Sequence, residues 1–200
     1  MMMTPQFLFD VASPNAYLVH RVLPEVEARS GRWFDYVPVL LGGLFKLSGN
    51  RAPMVAFAEV PKKLDYERLE FHRFMDRHGI DNFRWNPDFP VNSVMAMRTV
   101  CAAKEEERAD LAEALFHFMW EEPRKLDDPE RLHASLAEAG LDADRLIEAT
   151  ADQAVKDRLR AHTEAAYEKG AFGVPAFLLG DDLYFGKDRL GQVEEALAQR

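Results

Sequence analysis

A single cysteine, Cys101, stands in a chain of 200 residues. That scarcity excludes an intrachain disulfide and any Cys-x-x-Cys redox motif, so exchange chemistry run by two protein sulfurs is ruled out. Basic residues are also in short supply: 25 Lys and Arg face 34 Asp and Glu, for a formal net charge of -9. With no basic surplus to neutralise phosphates, a general nucleic-acid binder is not expected, although local basic patches are compatible with this balance. No apolar run approaches the length of a membrane span. The start, Met-Met-Met-Thr-Pro-Gln, lacks the charged and long apolar regions of a secretory signal, so the cytoplasm is the expected location. The six histidines contain no His-x-x-x-His pair, and no metal site is expected. Internal repeats and low-complexity segments are missing as well. What remains, 48% hydrophobic and 30% charged residues, is the composition of a soluble globular protein with enough apolar material for one ordinary core.

The chain is organised around the stretch from Phe7 to Leu18. Phe7 to Val11 is a short apolar run broken by Asp10, which suits a buried parallel strand. Ser13-Pro14 then reads as a helix start, because Ser is a favoured N-cap and Pro is tolerated where its missing N–H has no partner. Leu18, Val19, Val22, Leu23 and Val26 continue as one apolar helical stripe, with Pro24 predicted to kink or restart the helix and Gly31 to end it. Trp33 to Val39 predicts a second strand parallel to the first. A strand running into a helix places Ser13 at the helix's positive end, where an anion is favoured. Ser13 is therefore either a plain cap or a hydroxyl aimed at a bound anion.

Leu40 to Pro61 breaks periodicity and reads as loop or short helix. From Lys62 to Gly170 the pattern is helical, with stops at Gly79, Gly140 and Gly170 and caps at Asn92-Ser93, Asp128 and Asp142. Glu105-Glu106-Glu107 reads as a solvated helix start, and Cys101 shares a helix face with Val94 and Met97, as a buried thiol would. Ala176–Leu179 and Leu183–Phe185 flank Gly180-Asp181-Asp182 as a hairpin, and Leu190, Val193 and Leu197 mark a final helix. The order βαβ, helical block, ββα predicts an α/β fold: residues 1–41 and 171–200 form a discontinuous sheet domain, and 42–170 a helical insertion. Pro175 opens a strand, where its missing donor does no harm, and Val174 before it could offer backbone groups to an extended peptide.

Five motifs occur in order along nearly the whole chain: Asp10-Val-Ala-Ser13-Pro14-Asn-Ala-Tyr17-Leu18, Lys46-Leu-Ser-Gly49-Asn50-Arg51, Pro61-Lys62-Lys63, Phe172-Gly173-Val174-Pro175 and Phe185-Gly186-Lys187-Asp188-Arg189-Leu190. Together they resemble the 2-hydroxychromene-2-carboxylate isomerases of the glutathione transferase kappa group. The resemblance implies a thioredoxin-like fold with a large α-helical insertion, glutathione as cofactor, a small aromatic keto-acid substrate and a homodimer. Ser13 matches the family's catalytic serine, at the place where thioredoxins carry their first cysteine. By the same resemblance Asn50, Val174, Asp188 and Arg189, with Lys187 beside them and Lys63 less securely matched, would hold glutathione. Lys46, Arg51 and an aromatic, for which Trp85 is the candidate, would line the substrate side, and a cis Val174–Pro175 bond near Ser13 is implied. On local sequence alone Asp188 reads equally as a helix cap, and Lys46, Arg51, Lys62 and Lys63 as a solvated face. The activity implied is cis–trans isomerisation, converting the chromene carboxylate to trans-o-hydroxybenzylidenepyruvate by reversible thiolate addition. A kappa-like transferase and a glutathione-binding module without turnover remain the alternatives.

Overall fold

A computed structural model describes residues 4–199. Strand β1 (Gln6–Phe9) leads into helix α1 (Pro14–Ser30), which returns the chain to β2 (Asp35–Pro38), parallel to β1 with Gln6 opposite Asp35 and Phe9 opposite Pro38. Eight of the ten α-helices among the described residues follow before the sheet resumes at β3 (Ala176–Leu179), which lies antiparallel to β1 with Phe7 opposite Phe177. Strand β4 (Asp182–Phe185) completes a four-stranded sheet of order β2-β1-β3-β4. Gly180, at φ 67°, supplies the left-handed residue that the tight β3–β4 turn requires.

Strand alternation explains why both faces of this sheet are covered. Phe7, Phe9, Phe177 and Leu179 point into the larger core with the stripe of α1, whereas Leu8, Ala176 and Leu178 point into a smaller one closed by Leu44 and Ala166. Phe7 stacks on Phe177 with ring centroids 5.7 Å apart, joining the two distant halves of the sheet. Each such buried side chain contributes on the order of 1.5–3 kcal/mol. The same larger core takes in Phe71, Met97, Leu115 and Leu132, so the helices between β2 and β3 share it with the sheet.

Those helices are α2 (Leu41–Ser48), α3 (Pro53–Ala56), α4 (Pro61–His78), α5 (Val94–Ala102), α6 (Arg108–Trp120), α7 (Pro129–Glu138), α8 (Ala143–Ala149) and α9 (Gln153–Glu168), and α10 (Leu190–Ala198) closes the chain. Asp128 and Asp142 cap α7 and α8 through their carboxylates, and Gly31 and Gly79 end α1 and α4 in the left-handed conformation. Local expectations fail at Pro24 and Trp33 and are sharpened at the acidic triplet and at Asn92-Ser93. Helix α1 runs through Pro24 as one span, because buried Leu18, Val22, Leu23 and Val26 lie on both sides of it and outweigh the roughly 3 kcal/mol that an interior proline costs. Strand β2 begins at Asp35, leaving Trp33 76% exposed. The acidic triplet forms a 3-10 turn, Glu105–Glu107, ahead of α6. Ser93 occupies the cap position of α5 but gives its hydroxyl to Asp10 Oδ2 at 2.9 Å, while Asn92 Oδ1 accepts from the Val94 amide.

Candidate active site

The turn between β1 and α1 sets the geometry of the site. The Ser13 amide donates to the Asp10 carbonyl at 3.0 Å, and the Ser13 hydroxyl oxygen accepts from the Ala16 amide at 3.2 Å, as an N-cap should. No acidic residue lies in the first turn of α1, so the partial positive charge of that helix end is left uncompensated there. The same hydroxyl donates to the Val174 carbonyl at 3.3 Å, across 161 positions of sequence. Ser13 is thus 4% exposed and faces the Gly173-Val174-Pro175 loop, whose Val174–Pro175 bond is cis.

Asp10 holds this turn from beneath. Its carboxylate is fully buried and accepts from the Ala12 amide at 3.0 Å, the Leu41 amide at 2.8 Å and the Ser93 hydroxyl. Burial pushes its carboxyl above the ordinary range, and those three donors pull it back. One buried carboxylate therefore ties the Ser13 turn to the first residue of α2, a helix whose N-cap, Leu40, has no capping side chain. At the other end of α2, Asn50 donates through Nδ2 to the Phe172 carbonyl at 3.1 Å, two residues before Val174. Ser13, Val174 and Asn50 are brought together in this way. Lys46, one turn before Asn50, is exposed and has no ion-pair partner among the described residues, and the same holds for Arg51.

The far side of the loop is pinned by β4. The Gly186 amide donates to the Pro175 carbonyl at 2.9 Å, and Phe185 stacks on Phe172 with centroids 4.3 Å apart. A Cβ on Gly173 would stand 3.1 Å from the Phe185 ring, so this close approach depends on glycine. The 3-10 turn Lys187–Arg189 follows, carrying Asp188 beside the loop. The cap reading of Asp188 does not hold: the N-cap of α10 is Arg189, and Asp188 Oδ1 instead accepts from Lys187 Nζ at 2.6 Å. Lys187 is 6% exposed, its ammonium 5.2 Å from the centre of the Phe74 ring, so it acts inside the protein on Asp188.

Two of the residues implied by resemblance are engaged elsewhere. Lys63 places its ammonium 3.5 Å above the Phe57 ring, and nothing ties it to the Ser13–Val174 face. Trp85, 53% exposed, joins an aromatic cluster with Phe71, Phe83, Phe89 and Trp120. That cluster does touch the site, because Trp120 donates its indole N–H to the Val11 carbonyl at 2.8 Å. Tyr17, one turn beyond Ser13, donates to Glu121 Oε1 at 2.9 Å, and burial together with that carboxylate keeps its phenol protonated. Asp10, Trp120 and Phe172 are site residues that reading the sequence missed. The available signal for Asp10 was a lone carboxylate directly after an apolar strand.

Cys101 has no part in this face: it is buried, and burial pushes its thiol up to about 11. A hydroxyl, not a thiol, occupies the helix end. The arrangement offers a hydroxyl donor at a positive helix terminus, a backbone amide on Val174 with no partner among the described residues, and a carboxylate beside uncompensated cations. It can stabilise a soft anion at the helix end and pair with an extended, zwitterionic ligand.

Residues 6–198 match the DSBA-like thioredoxin domain, and the chain belongs to that family. Among known proteins it is similar to the 2-hydroxychromene-2-carboxylate isomerase of Sphingobium xenophagum, 29% identical over 201 residues that cover 97% of each chain. It is similar also to glutathione S-transferase kappa 1 of Homo sapiens, 27% identical over 212 residues that cover 98% of this chain and 92% of the relative. A solved structure of 2-hydroxychromene-2-carboxylate isomerase superposes with a TM-score of 0.83 at 28% identity, covering 98% of this chain and 95% of the other. No helix among the described residues is long and apolar enough to cross a membrane.

Proposed function

We propose that the chain is a glutathione-dependent cis–trans isomerase that interconverts 2-hydroxychromene-2-carboxylate and trans-o-hydroxybenzylidenepyruvate. The observation that carries this reading is the Ser13 hydroxyl at the N-terminus of α1, in contact with the Val174 carbonyl of the proline loop. The donor set fits glutathione. An unpaired Val174 amide and its carbonyl suit an extended peptide backbone, and Asp188 suits an α-ammonium. Asn50 bonds to that loop, and Arg189 follows the strand that pins it; in this reading they take amide and carboxylate groups.

When bound, glutathione supplies a thiolate nucleophile whose reversible addition to a conjugated double bond permits rotation about that bond. Ser13 turns its proton from Val174 towards the sulfur and stabilises the charged form, helped by the helix terminus. An unassisted thiol titrates near 8.5, and lowering it by two units takes roughly 2.7 kcal/mol of preferential stabilisation. One charge-assisted hydrogen bond of about 1.5–3 kcal/mol plus a helix end worth about 0.3–1 kcal/mol is of that size. Because Ser13 is not a cysteine, no mixed disulfide with the cofactor can form. In this reading Lys46 holds the substrate carboxylate or a developing enolate. The cluster of Phe83, Trp85 and Phe89 would wall the aromatic ring, and Arg51 and Lys63 have the weaker claims. A cytoplasmic homodimer accords with this reading.

The test is an absorbance assay on 2-hydroxychromene-2-carboxylate with and without glutathione. Turnover that requires glutathione supports the proposal, and turnover without it refutes it. A second reading, a kappa-like transferase, is favoured by the similarity to the human kappa enzyme. It predicts a product that retains sulfur, which mass spectrometry detects. Binding of glutathione with an unshifted thiol and no turnover would instead mark a non-catalytic module.

A further inference from the structure

Away from Ser13, the edge of the sheet carries a second polar corner. Strand β2 is an edge strand; α9, which carries Arg158 and His162, packs against it, and Arg108 at the start of α6 reaches its Asp35. Arg108 Nη1 stands 3.4 Å from Asp35 Oδ1, but its Nε is buried with no hydrogen-bond partner. Arg158 donates through Nη1 to the Cys101 carbonyl, a neutral acceptor that leaves its charge uncompensated. His162, one turn after Arg158, hydrogen-bonds to the Pro38 carbonyl, and its Nδ1 is also buried without a partner. Buried polar atoms are almost always satisfied, so each unpartnered one asks for an explanation. Two orphans in one corner, beside two guanidinium groups and a single carboxylate, therefore call for an occupant.

We propose that this corner binds a small oxyanion, a carboxylate or a phosphate, held by Arg108, Arg158 and His162. An oxyanion accepts from the Arg108 Nε–H and from the free N–H groups of Arg158, and it neutralises the guanidinium charge that Asp35 leaves over. A single water could bridge the two orphaned atoms but would leave that charge in place. The third contact requires a proton. With one ring nitrogen engaged by Pro38, Nδ1 of a neutral His162 accepts, and it donates to an anion only when the ring is charged. Burial and, less strongly, the two arginines hold His162 below its ordinary value in the free protein, with the Pro38 hydrogen bond and Asp35 opposing and the Cys101 thiol nearby neutral. A bound anion reverses the sign of the local field, so binding takes up a proton and tightens as pH falls.

The experiment follows the His162 ring by NMR during titration with inorganic phosphate and, separately, with acetate, at constant ionic strength. Measurements at about pH 6 and about pH 8 bracket the ordinary histidine value of about 6.5. Expected is a saturable shift with higher affinity at the lower pH, by at most about tenfold for each unit by which the bound anion raises the His162 pKa, read from the acetate arm because phosphate itself titrates in this window. The arm that saturates at lower concentration identifies the oxyanion. Arg158→Gln, on an exposed residue, should weaken the response at least about tenfold, the loss expected of one charge-assisted contact. Its thermal melt and glutathione binding should stay unchanged. Arg108→Gln should act similarly, and if losing Asp35's partner prevents folding, Arg158→Gln decides alone. A linear response that chloride reproduces, or equal saturation in wild type and Arg158→Gln, would overturn the proposal and leave the corner to water.

Discussion

Helix α1 carries two polar groupings about two turns apart, and they are built on opposite plans. At its middle, His20 bonds to the Tyr36 hydroxyl at 2.9 Å and to Glu113 Oε2 at 2.7 Å, and Arg21 closes the set on Glu113 Oε1 at 3.0 Å. Both ring nitrogens are engaged, the ring stacks on Phe116, and Tyr36 packs edge-on to Phe7 and Phe9. This network fastens α1 to β2 and α6 and has nothing to offer a ligand. At the N-terminus of the same helix, Ser13 meets a loop whose Val174 amide has no partner among the described residues, and Asn50 bonds to the same loop. A cluster of Tyr, His and Glu around a buried imidazole looks more like a reaction centre on paper than one serine does. Unused hydrogen-bonding capacity is what separates a binding face from a structural clamp.

The contrast can be broken most severely at Ser13. Ser13→Ala should lower turnover by roughly tenfold to a hundredfold, the worth of one hydrogen bond to a charged group. The bound thiol's pKa should rise by about one to two units, because the lost bond favoured the thiolate. Thiolate absorbance against pH measures that rise directly. Glutathione affinity should change little, and stability should drop only by about 1 kcal/mol, the value of a cap. Full activity with an unmoved thiol would return Ser13 to being a cap.

His20→Ala tests the closed grouping and should do the reverse. It strands the Tyr36 hydroxyl in the core, so urea unfolding should show a loss of about 1–3 kcal/mol with kcat/KM preserved in the folded enzyme. Loss of activity without loss of stability would mean that the clamp belongs to the site. Asp188→Asn comes next: glutathione should bind about tenfold more weakly by calorimetry, with the thiol pKa unchanged.

Glu113 supplies a gentler probe. The hydrogen bond from His20 holds its carboxyl below the ordinary range, against partial desolvation. A carboxyl depressed in the folded state adds stability above its unfolded value, about 4.3, and loses it as pH falls through the lower folded value. Glu113→Gln should therefore flatten the acid limb of the stability profile, by a fraction of a kcal/mol since the side chain is half exposed. The smallest effect belongs to Cys101. Its raised thiol should resist alkylation near neutral pH, and Cys101→Ala should leave turnover untouched.

Much of this was legible from local pattern. The apolar run, the Ser-Pro start, the stripe of α1 and the β3–β4 hairpin each declare themselves within a dozen residues, and the sheet follows because neither half could bury its faces alone. The resemblance pointed to Asn50 and Val174, and the structure joins both to the proline loop beside Ser13, which their spacing in the chain could not announce. What stayed hidden is non-local. Nothing near Asp10 announces that its carboxylate caps α2 and takes the Ser93 hydroxyl, and nothing near Trp120 announces Val11. Asp188 looked like a cap because carboxylates before helices usually are, and the ion pair with a buried neighbouring lysine overrode that preference.

The pairing of β1 with β3 also has a cost in time. Phe7 and Leu8 wait for Phe177 and Ala176, and Ser13 waits for Val174, 161 positions later. At ribosomal speeds of about 5–20 residues per second, that interval is roughly 8–32 seconds. Throughout it the growing chain holds an apolar strand with one edge unpaired, a shape that invites other strands. The α1 crossover and β2 can shelter one side early, since those contacts are close in sequence. The other side stays open until the proline loop emerges, so a newborn chain stalled short of residue 174 has nearly all of its helices and lacks the Ser13–Val174 contact altogether.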